Sequence, residues 1–278
     1  MGYLRKETLR LLRKYGIRPK KKYSQSFLIC DDIARKLVNF LNLKKTDIVL
    51  EIGSGLGLIT KMIAEKCMKV IAVEIDRSLA DIMKKEILIK YNNIEVIEED
   101  ILKIKIPKVN KIFSNVPYHI SSPLLFKLAR EAKFEIAILV FQKEFAYRLI
   151  AKPGSKNYGR LSIAAQVFFD IELLKVIPRQ CFYPVPEVDS IAVKLIPSRK
   201  IPENLTDDFL DFVRRIFPYK NRLVKKALKI AYGNKKCDLT GKDIPQNLRL
   251  KRVRELTIND VVMLLEIVRR CRRGHESP

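Results

Sequence analysis

DIVLEIGSGLG, residues 47–57, sets an apolar run of six residues against a turn with three glycines. LITKMIAEK (58–66) follows with apolar residues at helical spacing. Strand, tight turn, helix is the reading this pattern supports. The same alternation continues outward. KVIAVEID (69–76) reads as a buried strand, SLADIMKKEIL (78–88) as a helix and NNIEVIEED (92–100) as a third strand. KIFSNV (111–116) is a fourth, PLLFKLAREA (123–132) a helix and EIAILVFQ (135–142) a fifth strand, followed by helical EFAYRLIA. RLSIAAQVFF (160–169) fits helix or strand. IELLKVIP and VDSIAVKLIP (188–197) read as the last strands. Strands alternating with helices imply an α/β fold with a mostly parallel sheet covered on both faces. Right-handed crossovers make it doubly wound. Such sheets bind ligands beyond the C-terminal ends of their strands.

Two flanks differ from this centre. Leu4, Leu11, Leu12 and Tyr15 predict an amphipathic helix over 3–15, ended by Gly16 and Pro19, and DDIARKLVNFLN (31–42) predicts another. PSRKIPENLTD (197–207) breaks the pattern with two prolines and polar residues. Beyond it no strand is legible. DDFLDFVRRIF, NRLVKKALKIAY and TINDVVMLLEIVRR read as helices, with Thr206 and Thr257 as N-caps. The expected organisation is a basic N-terminal extension (1–22), an α/β domain (23–200) and a small all-helical, RNA-binding C-terminal domain (201–278).

Composition narrows the function. The 278 residues are 47% hydrophobic, enough for a substantial core, and no apolar run approaches a membrane span. The N-terminus is too interrupted by charge for a signal peptide, so a cytoplasmic location is expected. The 55 Lys+Arg against 31 Asp+Glu give a formal net charge of +24. A field of that size favours a polyanion, with nucleic acid first and an anionic membrane surface second. A lysine-rich chain adapted only for solubility is the plainer alternative. The cations cluster, however. Nine fall in residues 1–22 and nine in 212–237, which points to binding surfaces. The five cysteines are scattered and read as reduced thiols. With two histidines, His119 and His275, a zinc site or a Ser/His/Asp triad is disfavoured. Nothing in the sequence demands a metal, a membrane or more than a monomer.

The glycines at 53, 55 and 57 depart from the dinucleotide spacing G-x-G-x-x-G, and no phosphate-loop Gly-Lys-Ser/Thr is present. Two acids sharpen the site. Glu74 ends the second strand, where a carboxylate can accept both hydroxyls of a ribose. Asp100 ends the third, where it can accept from an adenine amino group. Together they describe a nucleoside without a pyrophosphate, and S-adenosylmethionine suits that description. The fourth strand then delivers Asn115-Val-Pro117-Tyr118 beside a methyl donor. An exocyclic adenine amine is a poor nucleophile because its lone pair is delocalised. Two acceptors fixed on its N–H groups, the Asn115 oxygen and a carbonyl of the Val116-Pro117 turn, aim that lone pair at the methyl. Tyr118 is placed to stack on the base, and Phe182, or else Tyr183, to close the other side. The plainer reading of Phe182 and Tyr183 is a pair of core residues pinned by prolines.

At this point the residues resemble the KsgA-type ribosomal RNA adenine dimethyltransferases, in their archaeal and eukaryotic branch. The matching stretches are SQSFL (24–28), LEIGSGLG (50–57), VEID (73–76), Asp100, NVPYHISSP (115–123), FQKEFAYRL (141–149), YGRLS (158–162), FYPVPEVDS (182–190) and IFPYKNRLVKKAL (216–228). The resemblance implies a Rossmann-like methyltransferase domain with a small helical domain. It implies dimethylation at N6 of two adjacent adenosines in a hairpin loop near the 3′ end of small-subunit ribosomal RNA, within a pre-ribosomal particle. It also implies that Ser26, Leu28, Gly53, Glu74, Asp100 and Asn115 contact S-adenosylmethionine, with Gln25 close by. Glu51 and Gly55 of the glycine turn and Ile101 beside Asp100 complete that set. Asn115, Pro117, Tyr118 and Phe182 would hold the base. Ser24 and Val116 stand where the family usually has Gly and Leu. The basic segment 1–22 is longer than in many members, and contact with RNA phosphates is expected of it. Two alternatives carry other signatures: a resistance-type enzyme acting on large-subunit RNA, and a non-catalytic assembly factor with a decayed donor site.

Overall fold

The computed structural model describes residues 2–131, 133–233 and 244–273. The chain forms two compact units, Met1–Ala146 with Asp170–Pro197, and Tyr147–Phe169 with Ser198–Pro278.

The first unit opens with α1 (Tyr3–Lys14), β1 (Phe27–Leu28), α2 (Asp31–Phe40), β2 (Ile48–Ile52), α3 (Leu58–Ala64), β3 (Lys69–Val73), α4 (Arg77–Glu86) and β4 (Ile94–Ile97). It continues through β5 (Lys111–Asn115), α5 (Ser121–Glu131) and β6 (Ile136–Gln142), and α6 (Lys143–Leu149) carries the chain across the unit boundary. After α7 (Arg160–Phe168), the chain returns through β7 (Phe169–Ile177), β8 (Phe182–Tyr183) and β9 (Ser190–Pro197). Seven strands form one sheet in the order β4-β3-β2-β5-β6-β9-β7. β4, β3, β2, β5 and β6 pair in parallel, and β9 runs antiparallel to β6, from Ala137↔Leu195 to Gln142↔Ser190. Near-continuous apolar runs such as IVLEI and IAILVFQ suit strands covered on both faces. Val49, Leu50, Ile112, Ile138 and Leu139 are accordingly fully buried.

Two short features escape a periodicity reading. The first is a ribbon of two-residue strands, β1 against β8, with Phe27 opposite Tyr183 and Leu28 opposite Phe182. Two residues are too few to show alternation. The ribbon brings Cys30 and Cys181, 151 residues apart, to a Cα–Cα distance of 5.1 Å, and they are joined in a disulfide. Cys271 is also disulfide-bonded. These three cysteines are therefore not the reduced thiols expected; for Cys30 and Cys181 the reason is that the pairing of β1 with β8 has no trace in cysteine spacing. Cys67 is free and buried, and Cys237 lies outside the described residues. The second feature is RLSIAAQVFF. Its first nine residues form α7, and Leu161, Ile163, Ala164, Ala165, Val167 and Phe168 are all buried. A helix buried all round shows no amphipathic period, which is why the sequence left it open.

Segment 1–22 is not a free extension. Leu4, Leu11 and Leu12 of α1 belong to the same core cluster as Val49 and Phe113. Arg10, Lys14 and the Tyr15 hydroxyl all bond to Glu86 at the end of α4, at 3.2, 2.6 and 2.7 Å.

The second unit is helical: α7, then α8 (Thr206–Ile216), α9 (Val224–Tyr232), α10 (Gln246–Leu250) and α11 (Ile258–Arg273). It takes in residues 147–169 and so includes YGRLS, which the expected boundary near 200 leaves in the α/β domain. Tyr158 of that segment is buried, and its hydroxyl donates to the Leu256 carbonyl at 2.9 Å. Thr257 caps α11 as expected. Its Oγ1 accepts from the Asp260 N–H, and its own N–H donates to Asp260 Oδ2. Thr206 does not cap α8; it lies within the first turn, and its hydroxyl accepts from Arg199. No helix of the described residues is long and apolar enough to cross a membrane.

Candidate active site

Chain order reverses between β2 and β5, the crevice where doubly wound sheets take ligands. A cavity of about 270 Å³ opens there. The glycine turn forms its floor. Gly55 has φ +58°, and a Cβ there would stand 3.1 Å from the Phe27 ring. Gly57 has φ +75°, with Met83 only 2.6 Å from any added Cβ. Positive φ and close neighbours together exclude side chains at both positions. Gly53 lines the same cavity.

The acids sit in a row across the strand ends. Glu51 in β2 is 3% exposed, and its Oε2 has no partner. Burial pushes its carboxyl up to about 8, and the nearby Glu74 adds to the rise. Glu74, just past β3, accepts from Gly55 N at 2.7 Å and from Asp76 N at 2.9 Å. Burial raises its pKa despite those bonds. Each oxygen keeps a further lone pair for a ligand hydroxyl. Asp100, beyond β4, accepts from Leu102 N through Oδ1 at 2.9 Å and lines the cavity with the buried Ile101.

Asn115 ends β5, which Ser114 pins to β2 by donating to the Ile52 carbonyl at 2.7 Å. The Asn115 amide nitrogen donates to the Ser26 carbonyl at 2.7 Å. That bond fixes the amide and leaves Oδ1 as an acceptor. In the turn that follows, Val116 N–H donates to Val140 O and the Pro117 carbonyl accepts from Ile120 N. Val116 and Pro117 both line the cavity. Tyr118 lines the cavity, its hydroxyl 3.3 Å from Ser190 Oγ. Burial raises its pKa, which keeps the phenol neutral at ordinary pH.

The lip comes from the segment before β1. Ser26 Oγ donates to the Pro184 carbonyl at 2.9 Å, and Leu28 is buried on the cavity wall. Gln25 also lines the cavity, but its amide is committed elsewhere. Nε2 donates to Asp76 Oδ2 and Oε1 accepts from Lys20 N, both at 2.7 Å. Lys20 Nζ holds the other Asp76 oxygen at 2.7 Å. Burial works to raise the Asp76 carboxyl, but Lys20 and Gln25 outweigh it and hold it below the usual range. Gln25 is therefore a brace of the lip. His119 Nδ1 lies 3.3 Å from Ser24 Oγ at the rim.

Phe182, expected to close the other side of the base, packs inward in this structure. It is 1% exposed, belongs to the core cluster and is not on the cavity wall. Successive strand residues face opposite ways. Tyr183 is accordingly the outward member of the pair, at 37% exposed. Sequence reasoning also passed over Thr8 and Ser54, both buried on the cavity wall. Thr8 was legible as a lone hydroxyl on the apolar stripe Leu4, Leu11, Leu12.

The residues present fit S-adenosylmethionine. Glu51 Oε2 and Ser54 Oγ are buried hydrogen-bonding atoms without partners on a largely apolar cavity. An acceptor for an ammonium, a carboxylate for a ribose diol and one for an adenine amine stand in sequence along the strand ends. Among the described residues no group of three His, Cys, Asp or Glu is gathered to hold a metal ion.

Comparison with known proteins agrees with this chemistry. The family model described as ribosomal RNA adenine dimethylase matches residues 16–266. The "Probable ribosomal RNA small subunit methyltransferase A" of Thermococcus sibiricus is 38% identical over 267 residues, covering 93% of this chain and 95% of that protein. The "Ribosomal RNA small subunit methyltransferase A" of Thermotoga maritima is 40% identical over 267 residues, covering 95% and 91%. Among solved structures, a dimethyladenosine transferase from Plasmodium falciparum superposes with a TM-score of 0.74 at 32% identity, covering 86% of this chain and 96% of that one. The 23S rRNA methyltransferase ErmE shares the fold, with a TM-score of 0.62 at 24% identity over 87% and 99% of the two chains. A match of that extent, over strand ends that present the acids and the amide this chemistry requires, makes the chain a member of the ribosomal RNA adenine dimethylase family, whose activity is S-adenosylmethionine-dependent.

Proposed function

We propose that the protein dimethylates N6 of two adjacent adenosines in the hairpin loop near the 3′ end of small-subunit ribosomal RNA, on a maturing small subunit in the cytoplasm. The observation that carries this reading is the Asn115 amide, held by the Ser26 carbonyl so that its oxygen stays free. The target adenine donates its two N6 hydrogens to Asn115 Oδ1 and to the Val116 carbonyl. Both acceptors are fixed before the base arrives, so little reorganisation is needed. Tyr118 gives the base a face to stack on, which favours an adenosine already out of a helix. When bound, S-adenosylmethionine supplies an electrophilic methyl group on a sulfonium. Glu74 would hold its ribose, Asp100 and Ile101 its adenine, and Glu51 its ammonium. Gly53 and Gly55 let the backbone approach, while Ser26 and Leu28 cover the site. The chemistry asks for positioning and charge stabilisation rather than a strong base.

Small-subunit specificity is supported by the relatives from Thermococcus sibiricus and Thermotoga maritima, both named as small-subunit methyltransferases. The intact donor pocket weighs against a purely non-catalytic assembly factor. The test is methyl transfer from labelled S-adenosylmethionine to unmethylated small subunits, with large subunits and naked DNA beside them. Dimethyladenosine in the small subunit alone is the expected result. Label in the large subunit would move the protein to the resistance-type activity. No label with the subunit still bound would make it a binding factor.

A further inference from the structure

Five buried side-chain atoms among the described residues have no hydrogen-bond partner, and three belong to the first unit: Thr8 Oγ1, Glu51 Oε2 and Ser54 Oγ. All three residues line the same cavity. Buried hydroxyls are ordinarily satisfied, because a bare one has lost its water without gaining a partner. Three such atoms around one cavity mark a place where a polar ligand completes the bonding. Thr8 is the unexpected member. It is 0% exposed and comes from α1, a segment that sequence alone suggested as an arm for RNA phosphates.

The topology says which end of the cofactor Thr8 faces. Asp100 lies beyond β4 at the sheet edge, Glu74 beyond β3 and Glu51 in β2, so the nucleoside runs from the edge inward. α1 packs on β1. β1 follows Ser26, whose carbonyl holds Asn115 at the end of β5. Thr8 shares its unpartnered state with Glu51 and Ser54, which lie at the β2 end of that row, away from Asp100. That end must receive an ammonium and a carboxylate. Glu51 is an acceptor and suits the ammonium. A carboxylate needs donors, and hydroxyls are donors.

We propose that the Thr8 hydroxyl donates to the carboxylate at the amino-acid end of S-adenosylmethionine, which makes α1 a wall of the cofactor site. α1 is held for that purpose: its leucines are core, and Arg10, Lys14 and Tyr15 lock it to Glu86. This inference rests on the cofactor reading of the cavity.

Calorimetric titration of two ligands separates the possibilities. S-adenosylhomocysteine carries the amino-acid end, and methylthioadenosine lacks it. Thr8→Val keeps the shape and removes the hydroxyl. It is expected to weaken S-adenosylhomocysteine about tenfold, the loss of one hydrogen bond to a charged group. Affinity for methylthioadenosine stays within twofold, and Thr8→Ser restores the first ligand. The ligand-free Thr8→Val protein melts no lower than the parent, because a bare buried hydroxyl has been removed. Equal affinity of parent and Thr8→Val for S-adenosylhomocysteine would overturn the proposal. So would an equal loss for both ligands with a lower melting temperature, which is the signature of packing alone. A parent protein that binds neither ligand would instead sink the cofactor reading itself.

Discussion

Asn115-Val-Pro-Tyr and Phe182-Tyr-Pro look alike in sequence: each sets an aromatic beside a proline near a strand end. The structure treats them in opposite ways. The first leaves bonding capacity open, since Asn115 lines the cavity and bonds through its amide nitrogen, which leaves its oxygen as an acceptor. The second is closed at its first residue. Phe182 is buried in the core cluster, paired across the ribbon with Leu28 beside the Cys30–Cys181 bridge. A proline-pinned aromatic is thus no guide to function by itself. What separates a site from a core is whether the group's interactions are already satisfied within the fold.

The largest effect that could break this contrast is at Phe182. Phe182→Ala should cost about 3–5 kcal/mol of stability, read by denaturant unfolding. Phe182→Leu keeps most of the volume and should cost under ~1.5 kcal/mol with methyl transfer retained. Should Phe182→Leu fold normally yet lose transfer by tenfold or more, Phe182 touches the base and the contrast fails. Tyr183→Ala sharpens it from the other side. We expect about a tenfold loss in kcat/KM with an unchanged melting temperature if the exposed ring stacks on RNA.

Asn115→Ala comes next. Losing a preorganised polar contact to the reacting group should lower kcat about 10²–10³-fold in single-turnover assays. The subunit should still bind, because phosphate contacts dominate affinity for nucleic acid and Asn115 carries no charge. A fall in subunit affinity equal to the fall in rate would mean Asn115 holds RNA rather than activating it.

Glu51 gives the open side a pH signature. Its carboxyl titrates near 8 in the fold against an ordinary value of 4.5. Between those limits the folded, ligand-free protein holds a proton that the unfolded chain has released. Stability from this group is therefore greatest below pH 4.5 and falls as pH rises toward 8. Glu51→Gln should flatten that slope. In the parent, binding a cationic cofactor near pH 7 should release up to one proton, visible by calorimetry in buffers of different ionisation enthalpy. No proton release would mean Glu51 is already ionised or does not meet the ammonium.

Much of this was legible in the sequence. The near-continuous apolar strands and the glycine turn gave the sheet, and the acids at strand ends gave the nucleoside. Two of the unread parts share a physical cause: they depend on pairing across long separations. The two-residue ribbon has no periodicity, and its disulfide joins residues 151 apart. The commitment of Gln25 to Asp76 appears only when residues 51 positions apart meet. α7 is unread for another reason: seven of its nine residues are buried, so no clear amphipathic period marks it.

Charge obeys the same rule as aromaticity, with smaller consequences. Lys20 lies in one basic cluster and is spent on Asp76, a carboxylate only 2% exposed that also receives Gln25. Lys226 and Lys229 lie in the other, exposed on α9 while Val224, Ala227 and Leu228 face its core. Lys235 and Lys236 of that cluster lie outside the described residues. If the exposed lysines meet RNA phosphates, replacing both with alanine should weaken subunit binding several-fold at moderate salt. It should also flatten the plot of log affinity against log salt by roughly one to two units. Lys20→Ala should leave that slope alone and instead weaken S-adenosylhomocysteine, because the lip of the cavity loses its brace. Slopes that change equally in the two variants would show that both clusters are RNA surfaces, and that an internal ion pair does not withdraw a cation from the phosphate field.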